Sequence, residues 1–198
     1  MGAYFDRIWS EAPDAPPEHF ESRRGELIRL LPSGARVLDV GCGSGWFAAA
    51  LRDAGFAVAG TDVAAEALRR ARERAAGVEF VLADAGGPLP FEAASFGAAW
   101  LGEVLEHVQD GIGLLEEVAR VLEPGGVLVA STPDHPFSLR ARLAVSAVAF
   151  ERHFDPRSDH VRFFTAASLR MLLEACGYES VAVRRVSGGL VASCAAAR

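Results

Sequence analysis

Short apolar runs alternate with stretches of helical spacing along most of the chain. Arg36–Val40, Phe56–Gly60, Val78–Leu82, Phe96–Leu101 and Val127–Ser131 are runs of five or six residues with few charges, the pattern of strands buried on both faces. Between them the spacing predicts helices from about Gly45 to Ala54 and over Ala64–Ala76. In a third helix Leu114, Leu115, Val118, Val121 and Leu122 share a face, and Glu123-Pro-Gly-Gly stops it. Strands alternating with helices predict a doubly wound α/β architecture, with a mainly parallel sheet and right-handed crossovers.

The last third changes character. Thr165–Cys176 reads as a helix with Thr165 as N-cap and Gly177 just past its end. Glu179–Arg185 and Leu190–Ala195, joined through Ser-Gly-Gly, read as an antiparallel hairpin at the sheet edge, bringing the strands to seven. Residues 132–163 hold three Pro, three His and several Arg without clean periodicity, and are expected to be an insertion over the mouth of the sheet. The leading segment, about residues 1–31, is expected to supply two helices broken by Pro13, Pro16 and Pro17. With no internal repeat, 198 residues make a single domain.

Composition narrows the function. A net charge of −6 argues against a general grip on nucleic acid, which needs clustered Lys and Arg against phosphates. Cys42, Cys176 and Cys194 form no CxxC pair, so neither a disulfide framework nor a thiolate zinc site is expected, and a reducing cytoplasm fits. The opening MGAYFDRIWSEAPD lacks the apolar core of a signal peptide, and the longest apolar run, Leu143–Phe150, is too short to span a bilayer.

The strongest chemical signal is Val37-Leu-Asp-Val-Gly-Cys-Gly-Ser-Gly45, a buried strand entering G-x-G-x-G and then a helix. Glycines let the backbone turn tightly and leave room for a ligand against the chain. Asp39 sits inside that strand, Asp62 follows the second strand and Asp84 the third. An acid at the second position can accept hydrogen bonds from ribose hydroxyls, and one at the third from an adenine amino group.

On VLDVGCGSG, GTDVAAEAL, FVLADAGGPLPF, WLGEVLEHV and LEPGGVLVASTP, in order over about residues 25–198, the sequence resembles the class I S-adenosylmethionine (SAM)-dependent methyltransferases. The resemblance implies a Rossmann-like methyltransferase fold with SAM as cofactor. It brings Gly41, Gly43 and Gly45 to the methionine part and ribose, with Asp39 nearby. Asp62 then takes the ribose, Val63 lies against the adenine ring, and Asp84 with Ala85 sits at the adenine. The end of the fourth strand, Leu101, faces the methyl-donor pocket.

Directly after that strand, Glu103, Glu106 and His107 stand at i, i+3 and i+4, so on a helical turn they share one face. Two carboxylates and an imidazole can hold a divalent cation, with distant His160 as a fourth ligand; without metal, His107 is the candidate general base. The E-x-x-E-H run with a distant His is similar to the ubiquinone-biosynthesis O-methyltransferases and to the RNA 3′-terminal 2′-O-methyltransferases. Phe5, Ile8 and Trp9 either pack on the sheet edge or cover the cofactor. His135 and His153 are candidates for the substrate pocket. The sequence therefore predicts methyl transfer to a small-molecule acceptor, oxygen before nitrogen or carbon. An RNA-end methyltransferase and a SAM-binding protein without catalysis are the alternatives, and the oligomeric state is left open.

Overall fold

A computed structural model describes residues 2–197; Met1 and Arg198 lie outside the described residues. In chain order the elements are α1 (Gly2–Glu11), α2 (Phe20–Leu30), β1 (Arg36–Val40), α3 (Trp46–Asp53), β2 (Ala57–Asp62), α4 (Ala65–Arg74), β3 (Glu79–Leu82), β4 (Phe96–Gly102), α5 (Gly111–Val121), β5 (Leu122–Pro133), α6 (Phe137–Val145), α7 (Ala147–His153), α8 (Ala166–Ala175), β6 (Glu179–Val186) and β7 (Gly189–Ala195). One seven-stranded sheet has the order β3-β2-β1-β4-β5-β7-β6. Strands β1 to β5 run parallel, and β7 is antiparallel to both of its neighbours, as a hairpin strand must be.

Alternation within the strands divides the core. Leu38, Val40, Ala99, Leu101, Leu128 and Ala130 face the layer of α5 and α8. Val37, Ala98, Trp100 and Val129 face α2 and α3. The order reverses between β1 and β4, because the chain leaves β3 at one edge and re-enters beside β1. Such a switch leaves a crevice at the carboxyl ends of the two strands, where ligands of open α/β sheets sit.

Two expectations need correction. Strand β5 starts at Leu122 rather than Val127. Glu123-Pro-Gly-Gly ends α5 as expected but stays extended, with an irregular register where β4 meets it between Phe96 and Ala98. The insertion, read as aperiodic, holds α6 and α7. Neither helix buries a residue, so neither carries the apolar stripe that marks a core-packed helix. Among the described residues no helix is long and apolar enough to cross a membrane.

Candidate active site

The loop after β1 is bent by Gly41, Gly43 and Gly45, all at positive φ. Each glycine excludes a Cβ for a different reason. A Cβ on Gly41 would lie 2.6 Å from Cγ2 of Val104, and one on Gly43 would lie 2.8 Å from the Trp9 ring. A Cβ on Gly45 would lie 2.9 Å from Cα of Ala71 on α4. Gly41 and Gly43 line a cavity of about 670 Å³ at the switch point. Gly45 does not line it; this glycine allows the close packing of α3 on α4.

Asp62 closes the loop from the other side. Its Oδ2 accepts from the Gly43 N–H at 2.8 Å and its Oδ1 from the Ala64 N–H at 2.9 Å. Burial raises its pKa above the ordinary carboxylate value, against the pull of those N–H groups. The carboxylate lines the cavity and keeps lone pairs for a further donor. Val63, Asp84 and Ala85 line the same wall, and Asp84 Oδ1 accepts from the Gly86 N–H at 2.9 Å.

Asp39 and Leu101 lie elsewhere. Asp39 is 1% exposed and lines no part of the cavity, and its Oδ2 has no partner. Burial first, and the nearby Asp62 second, push its pKa up to about 8. Leu101 is fully buried in the core beside α5, so its expected place in the pocket is corrected; alternation along β4 gives the cavity to Gly102 instead.

The leading segment covers the crevice. Phe5, Ile8 and Trp9 of α1 line the cavity with Ala12, Pro13 and Pro17. Asp6 Oδ1 accepts from the Glu66 N–H at the start of α4, Arg70 donates to the Ala12 carbonyl at 2.9 Å, and Arg74 pairs with Asp14. These contacts settle the choice left open for Phe5, Ile8 and Trp9: they face the pocket. His135 and His153 do not. Their Nε2 atoms lie 3.0 Å apart in the insertion, and neither lines the cavity.

Sequence reading missed Arg23. It is buried on α2, lines the cavity, pairs with Glu103 at 3.1 Å and donates to the Glu18 carbonyl. Its Nε has no partner. The guanidinium lends that wall of the cavity a positive charge, shared with Glu103. The signal was weak, since Arg23 is one of several charges on an ordinary helix face.

Beyond β4 the chain makes a single turn, with the His107 N–H donating to the Val104 carbonyl at 3.0 Å. Glu103 stands at φ 57°, outside helical space. The shared helical face expected for Glu103, Glu106 and His107 is therefore corrected. Glu103 turns to Arg23 and to Ser131, whose hydroxyl donates to it at 2.8 Å. Glu106 points inward at 1% exposure with both oxygens unpartnered, and burial, then Glu103, push its pKa up to about 8. Ligand atoms of Glu106, His107 and His160 lie within 4.8 Å of one another, and Glu103 is outside that group. Of these three only His107 lines the cavity, beside Glu103 and Asp159. Burial, and then His107, lower the pKa of His160.

A family model described as a methyltransferase domain matches residues 18–183. The chain is 31% identical over 187 residues to a ubiquinone biosynthesis O-methyltransferase of Xanthomonas axonopodis pv. citri, covering 90% of this chain and 78% of the relative. It is 31% identical over 174 residues to a demethylmenaquinone methyltransferase of Tropheryma whipplei, covering 81% and 73%. Among solved structures, a SAM-dependent methyltransferase of Methanosarcina mazei superposes with a TM-score of 0.68 at 26% identity, over 87% of this chain and 97% of that one.

Proposed function

Because this chain belongs to the class I SAM-dependent methyltransferase family, we propose that it methylates an oxygen of a small-molecule acceptor, with His107 as the general base. The observation that carries the reading is the meeting of a glycine-and-aspartate cradle with a cavity-lining imidazole at the end of β4. Gly41, Gly43, Asp62 and Val63 hold the cofactor's nucleoside half, with Asp84 and Ala85 at the adenine. The Arg23 guanidinium, on the cavity wall, suits the methionine carboxylate. SAM supplies the methyl group. The residues around it place the acceptor in line and exclude water, and positioning alone accounts for a large share of the rate. A hydroxyl acceptor must also lose its proton, and His107 is the cavity-lining imidazole placed to take it. Relatives named for quinone O-methylation and for demethylmenaquinone methylation support a small aromatic acceptor. The net charge of −6 disfavours RNA ends.

The test is calorimetry with S-adenosylhomocysteine, followed by labelled methyl transfer to a panel of phenols, amines, carboxylates and RNA 3′ ends. Phenol turnover supports the reading; turnover of amines or RNA alone overturns it. Within the same assay Asp62→Ala weakens S-adenosylhomocysteine binding about 10- to 100-fold, the loss of a hydrogen-bond acceptor that also pins the loop. Unchanged affinity would place the ribose elsewhere.

A divalent cation on Glu106, His107 and His160 is a second reading, favoured by the unpartnered Glu106 carboxylate. Two imidazoles and one carboxylate suit Zn²⁺ or Mn²⁺, and a bound ion would lower the pKa of an acceptor hydroxyl. Only His107 of the three reaches the cavity, which favours the metal-free version. Activity should therefore survive exhaustive chelation. Loss on chelation, restored by one added metal, would give the cluster to the ion.

A further inference from the structure

Asp159 lies in the loop between α7 and α8, more than 50 residues beyond His107. Its Oδ2 is 3.4 Å and its main-chain oxygen 3.3 Å from Nδ1 of His107, and both side chains line the cavity. The approach is built by the backbone. Val161 and Arg162 donate their N–H groups to the Glu106 carbonyl at 2.8 and 3.2 Å. The Arg162 guanidinium donates to the Val108 carbonyl at 3.0 Å and to that of Gln109. Four hydrogen bonds thus lock the returning end of the insertion to the turn that carries His107. Phe5 and His160 meet the same imidazole edge-on, with ring centroids 6.3 and 4.7 Å away.

We propose that Asp159 is the positioning residue for His107, holding its ring with the proton on Nδ1 and the lone pair on Nε2. An imidazole with two free nitrogens divides between tautomers. Two oxygens against Nδ1 select the form in which that nitrogen donates, so Nε2 is left to accept a proton or to bind an ion. The insertion is then part of the machinery through its last residues, although its helices α6 and α7 line no part of the cavity. The catalytic consequence rests on the reading of His107 as base; the orientation does not.

A structural role alone would leave a different trace. The pair is partly exposed, and such ion pairs contribute little to stability. Asp159→Ala should therefore fold and melt nearly as the parent does. Nitrogen-15 spectra of the imidazoles, assigned with His107→Gln, read the tautomer directly and need no acceptor. The parent is expected to show His107 with Nδ1 protonated. Asp159→Ala removes the carboxylate but keeps the main-chain oxygen, so it should raise in part the population with Nε2 protonated, and Asp159→Asn, which keeps an accepting side-chain oxygen, should restore most of the parental signal. With a turned-over acceptor, Asp159→Ala should lower kcat about 10- to 100-fold at unchanged KM for SAM, and Asp159→Asn should recover part of it. A parental His107 protonated on Nε2, or a tautomer that Asp159→Ala leaves unmoved, overturns the proposal. Full activity in a His107 variant would overturn the base reading instead, with the orientation still judged by the spectra.

Discussion

His107→Ala is expected to lower kcat for a hydroxyl acceptor by about 10²- to 10⁴-fold, the usual worth of a positioned general base. S-adenosylhomocysteine affinity should change little. The proposed cradle for the cofactor comprises the loop after β1, the end of β2 and the end of β3, while His107 stands on the turn after β4. Activity should not vanish, because alignment of donor and acceptor survives the substitution and is itself a large part of catalysis. The measurement is a comparison of kcat and of S-adenosylhomocysteine binding for parent and variant, using whichever phenol turns over fastest. A variant with full kcat would leave positioning as the whole mechanism. A variant crippled equally in cofactor binding would mean that His107 shapes the pocket rather than moving a proton.

The strands and the cofactor loop were legible because burial writes itself into sequence. β1 shows as an apolar run because helices cover the sheet on both faces. The loop shows because three glycines in five residues have few other uses. The methyl end was less legible. Spacing alone put Glu103 on one face with Glu106 and His107, and a single positive φ at Glu103 sends its side chain to Arg23 and Ser131 instead. Gly45 belongs to the motif yet serves the contact with Ala71, a purpose that a pattern of letters does not separate from ligand binding. Arg23 and Asp159 had no local signal, since each acquires its role from a partner distant in sequence. The helices α6 and α7 escaped for the opposite reason: without a core face they leave no period to read.

Asp39→Asn is expected to make the ligand-free protein more stable at alkaline pH and to change it little in acid. Asp39 is a carboxyl inside a parallel strand, with one oxygen lacking any donor and Asp62 close by. Both conditions oppose charge, and together they push its pKa up to about 8, against an ordinary value of 3.8. Between these two values the folded chain keeps a proton that the unfolded chain releases. Folding stability from this group is therefore fully present below about pH 4 and is lost as pH rises toward about 8. A shift of that size corresponds to an upper bound of about 6 kcal/mol, and structural relaxation or water entry reduces it, so a decline of about 2–4 kcal/mol is expected. Asparagine has nearly the same shape and does not titrate, so the variant should lack this part of the decline. At about 2–4 °C per kcal/mol for a chain of this size, its melting temperature at pH 9 should exceed the parent's by roughly 5–15 °C. Near pH 5 the gap should be much smaller, since only a little more than one pH unit of the decline has accrued there. Thermal melts of both proteins from pH 5 to 9 decide the matter. Parallel curves would show that Asp39 is ionised in the folded chain throughout that range.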